Sequence, residues 1–84
     1  MKGDAGHIGS MKAQGLALIR HNRLEEAKTL FRRICEINSE DAEAWYALSS
    51  INGILGNITE AGNCCRRVIA LQPDHSEAHL NLGN

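Results

Sequence analysis

No run of apolar residues in this chain is longer than four or five. A bilayer-spanning helix needs about 20, so the sequence offers no membrane-crossing element. An excess of either charge is missing too. Nine Lys/Arg face ten Asp/Glu for a net charge of -1, which supplies no global pull toward nucleic acid or a membrane surface. Met1–Ser10 lacks the apolar central stretch of a secretion signal. Cysteine is sparse and unpatterned. Cys35, Cys64 and Cys65 are odd in number, include no C-x-x-C spacing, and the adjacent pair cannot easily bridge. They read as three small semi-buried thiols on helices in a reducing compartment, which points to the cytoplasm.

Catalytic patterns are missing as well. There is no nucleophile with an assignable base, no Gly-rich phosphate loop and no acid pair set for proton transfer. His75 and His79 stand four apart, a spacing that lets two imidazoles share a metal. His75 falls in a linker, however, and no Glu or Cys at the right spacing completes a zinc site. No catalytic residue, cofactor or tightly bound metal is therefore expected. The paired arginines Arg32-Arg33 and Arg66-Arg67, with Glu25-Glu26 and Glu40-Asp41, read as solvated helix faces.

What is present is a period. Glu26-Ala27 and Arg32-Arg33-Ile34 return 34 residues later as Glu60-Ala61 and Arg66-Arg67-Val68. The same offset relates Glu43, Ala44 and Leu48 to Glu77, Ala78 and Leu82. A fixed period of this size marks stacked helical repeats. It divides the chain into units near 8–41 and 42–75 and the opening of a third over 76–84. A unit interrupted in this way is expected of a piece from a longer array. With 43% hydrophobic and 23% charged residues in 84, the chain suits one folded domain of modest core.

Met1–Ser10 carries Gly3, Gly6 and Gly9 without helical periodicity. It reads as a flexible arm, of the kind that expression-vector sequence contributes, ahead of a repeat domain over 11–84. From Met11 onward apolar residues recur at helical spacing: Leu18 and Ile19, then Leu24, Ala27, Leu30, Phe31, Ile34 and Ile37. Asn22-Arg23 supplies the turn between these two helices. Asn38-Ser39-Glu40-Asp41 links the units, with Asp41 or Ser39 as the cap of the next helix. That helix carries Trp45, Leu48, Ile51 and Leu55 and should close at Gly56-Asn57, a pair suited to a left-handed residue. Thr59 is the expected cap of the following helix, which carries Ala61, Cys64, Cys65, Val68, Ile69 and Leu71 until Pro73 stops it. A last helix over Ser76–Asn84 completes an all-α plan. Gly53 and Gly62 lie inside helices, each costing about 1 kcal/mol relative to alanine. For Gly53 a close approach by a neighbour is one explanation, and sequence drift the other.

Trp45, Leu48, Ser49 and Asn52, then Ala61 and Cys65, then Pro73, resemble the tetratricopeptide repeat motif W-x₂-L-G-x₂-Y, A-x₃-F, P. The preceding unit gives Met11, Gln14, Gly15 and Leu18, then Ala27 and Phe31, with Ser39 where proline is expected. The third gives His79, Leu82 and Gly83. The resemblance implies a helical-hairpin solenoid of two full repeats plus the first helix of a third. Small residues (Gly15, Ser49, Gly83, Ala27, Ala61) then sit where helices cross closely. Trp45 and Phe31 fill the gaps, and a buried Trp45 is expected to be among the costliest residues to lose.

The resemblance further implies a non-catalytic scaffold that binds a peptide or protein segment on its concave face. In proteins similar to this one, the first helix of each unit lines that groove. By position the lining is Lys12, Leu16, Ile19 and Arg20, then Glu43, Tyr46, Ser50 and Gly53, then Leu80, Asn81 and Asn84. Chaperone-binding members hold a terminal carboxylate with several Lys and Asn side chains. Only Lys12 matches that set here, since Leu16 and Ala47 replace asparagines. Pentatricopeptide-type RNA readers are similar in architecture, yet usually show a 35-residue period and stronger basicity, so nucleic acid is not expected as partner. The competing reading is a substrate-presenting fragment of a larger transferase. Residues 77–84 look like repeats upstream of O-linked N-acetylglucosamine transferase-type domains, where an asparagine ladder grips peptide. Asn81 fits that ladder, and Ala13 and Ala47 break it. The uncapped helix over 76–84 is expected either to fray or to dock through Leu80 and Leu82 on a second copy as a homodimer.

Overall fold

The computed structural model describes the backbone of residues 2–73 and the side chains of residues 7–73. Within them are four α-helices: α1 (Lys2–Arg20), α2 (Leu24–Ile37), α3 (Ala42–Leu55) and α4 (Ile58–Leu71). No strand occurs among the described residues. Each helix packs on its neighbour in sequence, α1 on α2, α2 on α3 and α3 on α4. This is the all-α pattern of consecutive hairpins that the period predicts. The expected helix over 76–84, His75 and His79 lie outside the described residues.

Helix α1 begins at Lys2, not at Met11, so residues 2–10 are helical and belong to no separate arm of irregular backbone. Glycines weaken a helix by about 1 kcal/mol each. Here packing outweighs that cost, because Ile8 and Met11 rest against the core on the same helix. Propensity was a poor guide where tertiary contact was available.

The two hairpin turns are built alike. Asn22 (φ 62°) and Gly56 (φ 87°) are the left-handed residues that close α1 and α3. In each case the next residue bonds back across the turn, Arg23 N–H to the Leu18 carbonyl and Asn57 N–H to the Asn52 carbonyl, both at 2.8 Å. That long closing bond is the Schellman arrangement. Asn tolerates the conformation better than other side chains, which is why the first unit manages without glycine.

Starts of helices are less uniform. Asp41 caps α3, its Oδ1 accepting from Ala44 N–H at 3.2 Å. Thr59 caps nothing. Helix α4 starts at Ile58 behind Asn57, whose side chain makes no capping bond, and its amide donates instead to Asn52 Oδ1 at 3.1 Å.

The core runs through the middle of the stack. Ala27, Phe31, Ile34 and Cys35 of α2 meet Ala44, Leu48 and Ile51 of α3 and Cys64 of α4 in one buried cluster. These positions fall at i, i+4, i+7 and i+8 on α2, one stripe of a helix. Closest approach is at Gly15, where a Cβ would lie 2.4 Å from Phe31 Cε2. One unit later the same two positions are Ser49 and Cys65, whose Oγ and Sγ stand 2.7 Å apart and buried. A glycine under a ring is thus replaced by two small polarisable groups in contact. Ala27 is fully buried, whereas Ala61 is half-buried.

Trp45 departs from expectation. Its ring is half-buried, because the indole N–H needs an acceptor and finds the Ser39 carbonyl at 2.8 Å. Arg67 covers the ring at 5.1 Å from its centroid and reaches the same carbonyl at 3.4 Å. Trp45 is a fastener of the joint between units, at the boundary of the core.

Candidate functional site

Helices α1 and α3 stand side by side as the first helices of successive units. On α1, Lys12, Leu16, Ile19 and Arg20 follow an i, i+4, i+7, i+8 stripe; on α3, Glu43, Tyr46, Ala47 and Ser50 follow an i, i+3, i+4, i+7 stripe. A groove of about 380 Å³ opens between the stripes, walled by Lys12, Leu16, Ile19, Glu43, Tyr46 and Ser50, with Ala42, Ala47, Phe31 and Gln72 completing it. Six of the expected lining residues therefore meet at one place. Arg20 is exposed and does not line it. Leu80, Asn81 and Asn84 lie outside the described residues.

Gly53 is not part of this groove. It lines a separate concavity of about 750 Å³ on the edge formed by α3 and α4, which shares Tyr46 and Ser50 with the first. Nothing stands within 4 Å of a Cβ built on Gly53, so no neighbour makes a close approach there.

The floor of the α1–α3 groove is apolar. Leu16 leaves 54% of its surface in solvent, a conspicuous exposure for a leucine flanked by Ile19 and Ala47 on a concave wall. Ala47 occupies the wall where an asparagine ladder would need an amide.

One end of the groove is ionic. Lys12 Nζ lies 2.8 Å from Asp41 Oδ2 and 2.8 Å from Glu43 Oε1. Burial alone would lower the Lys12 ammonium, but its bonds to Asp41 and Glu43 outweigh that and hold it above the ordinary lysine value of 10.5. Asp41 therefore serves both helices, capping α3 with one oxygen and holding α1 with the other. Sequence spacing alone hid this bridge, since Lys12 and Glu43 are 31 residues apart. The charge signs were readable; the pairing required the crossing.

Elsewhere the described residues hold little chemistry. All three cysteines are free and buried. Burial pushes the Cys35 thiol up to about 12, helped by Cys64 and Asp41, and pushes Cys64 up to about 11, helped by Glu60. Such thiols stay protonated and are poor nucleophiles. Among the described residues no three His, Cys, Asp or Glu side chains gather as a metal site. No described helix is long and apolar enough to cross a membrane.

Comparison with known proteins agrees with the geometry. A family profile described as tetratricopeptide repeat matches residues 10–51, and a second with the same description matches residues 42–75. Tetratricopeptide repeat-containing protein trd-1 of Caenorhabditis elegans is 32% identical over 71 residues, which is 84% of this chain and 9% of that protein. The chain thus spans less than a tenth of that relative's length.

Proposed function

Since this chain belongs to the tetratricopeptide repeat family, we propose that it is a non-catalytic interaction module that seats a protein or peptide segment in the groove between α1 and α3. Repeats of this family are generally protein-interaction modules. The observation that carries the proposal is the concave apolar strip, exposed Leu16 with half-buried Ile19, Ala47 and Tyr46, bounded by fixed polar groups. A few hundred Å³ of apolar floor with convergent polar groups at one end is the usual make-up of a recognition site. Cytoplasmic residence belongs to the same proposal, supported by three thiols that form no bridge.

The test compares partner capture by the chain, by Leu16→Asn and by Arg33→Ala on an exposed face away from the groove. A partner retained by the chain and by Arg33→Ala but lost with Leu16→Asn, at unchanged melting temperature, is the expected outcome. Equal retention by all three places the partner elsewhere and refutes the groove.

A further inference from the structure

The acidic end of the groove selects the kind of segment that fits. Beside the apolar groove lies a shallower concavity walled by Glu40, Asp41, Glu43, Ala42, Leu71 and Gln72. The two share Ala42, Glu43 and Gln72, so the acidic hollow opens directly into the apolar floor.

Three carboxylates, from Glu40, Asp41 and Glu43, face one ammonium, Lys12, which is engaged by two of them. Glu40 has no ion pair among the described residues. The Glu43 side chain, though it touches Lys12, is 80% exposed. Arg67, the other cation fixed near this linker, is held over Trp45 and against the Ser39 carbonyl. The positive end of the α3 dipole is met by Asp41 itself through Ala44 N–H. Among the described residues, three carboxylates against one ammonium leave a net excess of two negative charges at the rim of an apolar trough.

We propose that the segment seated in the α1–α3 groove is an apolar stretch bearing a lysine or arginine that lies against Glu43 and Glu40. This rests on the groove being the binding face. Aliphatic side chains of the segment cover Leu16 and Ile19, and its cation restores neutrality at the start of α3. A free terminal carboxylate is disfavoured at that end, since the ammonium that would receive it is already doubly bonded. Charge complementarity of this kind sets selectivity and encounter rate more than raw affinity.

A random peptide library selected on the whole 84-residue chain supplies the probes. The selected peptides are then titrated against the chain, against Leu16→Asn, and against the double variant Glu40→Gln/Glu43→Gln. The proposal expects sequences that pair aliphatic residues with Lys or Arg. Their binding weakens roughly fivefold in the double variant, the loss expected of one or two exposed ion pairs, and falls as salt is added. Peptides abolished by Leu16→Asn yet acidic, or indifferent to the double variant, overturn this inference and leave the groove standing. Peptides indifferent to Leu16→Asn, or no enrichment at all, overturn the groove and this inference with it. Thermal melts of both variants establish that each is folded. Glu40 and Glu43 are surface residues, so their loss as amides leaves the core untouched.

Discussion

Gly15 and Gly53 both lie in first helices of their units, yet their replacement by alanine should act in opposite directions. At Gly15 the new methyl meets the Phe31 ring, which is 2% exposed and has nowhere to retreat. Overpacking of that sort costs about 1–3 kcal/mol. At Gly53 the methyl meets open space, and the gain in helix propensity is about 1 kcal/mol. Urea denaturation of the two variants should therefore move the midpoint down for Gly15→Ala and up for Gly53→Ala. The same sign for both would contradict the crossing geometry. Trp45→Ala removes a half-buried ring and its bond to Ser39, so a loss of about 2–3 kcal/mol is expected, below the ~3–5 of a fully enclosed aromatic. Emission of the folded protein should sit between buried and free tryptophan. Both small-residue positions were readable as crossing points, since Gly15 and Ser49 share a place in the period. Half-burial of Trp45 was not, because no pattern in the sequence says where an indole N–H will find its acceptor.

The buried thiols carry a pH signature. In the unfolded chain they ionise near 9.0, while folding holds Cys35 to about 12 and Cys64 to about 11. Below about pH 9 both states hold the proton and stability is indifferent to these groups. Above it the unfolded state binds fewer protons, so stability falls as pH rises toward 11–12. Lys12 acts in the same direction: its raised value contributes stability that is present below 10.5 and lost as pH climbs through the folded value. Thermal melts from pH 7 to 11 should show a plateau followed by a decline. Iodoacetamide should label Cys35 and Cys64 at neutral pH only after denaturant is added, and rapid labelling of the folded protein would contradict their burial.

At the level of elements, the joint between the hairpins is the informative segment. Asn38 ends α2 with φ -138° and ψ 95°, and Gln72 ends α4 with φ -136° and ψ 83°. Gln72 precedes Pro73, and these extended angles suit a residue before proline. Ser39 stands at the corresponding place in the first unit, so Ser39→Pro should be accepted and should stabilise by about 0.4–1 kcal/mol through the unfolded chain. A fall in melting temperature would show that the two joints differ. Asp41→Ala removes the α3 cap and one of the two Lys12 contacts, and a loss of about 1–2 kcal/mol is expected in chemical denaturation. The Pro73 stop, the Asn22 turn and the Gly56 closure are all legible in the sequence. The start of α1 was not, because Gly3, Gly6 and Gly9 argue against a helix that Ile8 and Met11 secure by packing. Thr59 misled for a related reason: a capping residue type marks only that a cap is possible, and Asn57 and Asn52 had already arranged the turn.

At the scale of the whole molecule, the shared cluster from α2 through α3 to α4 joins the two described hairpins, so that neither should melt ahead of the other. Helicity followed in the far ultraviolet and Trp45 fluorescence should report one coincident transition. Two separated transitions would mean that the α2–α3 interface is weaker than its burial implies. The groove was legible in part. Period and family resemblance named Lys12, Leu16, Ile19, Glu43, Tyr46 and Ser50, which wall one concavity, whereas the engagement of Lys12 by Asp41 and Glu43 depends on how two helices far apart in sequence cross.

The joint has a further consequence for how this chain tolerates mutation. Its keystone is the Ser39 carbonyl, gripped by Trp45 and Arg67. A carbonyl belongs to the backbone, and no amino-acid exchange can delete it. Position 39 thereby keeps this contact whatever its side chain, while loss of the contact can come only through the two donors. A saturation scan scored for folded yield should vary little across position 39, with proline at its top, and fall steeply at 45 and less at 67, whose bond is the longer. The connection between units is written in the geometry of the chain at one end and in replaceable letters only at the other.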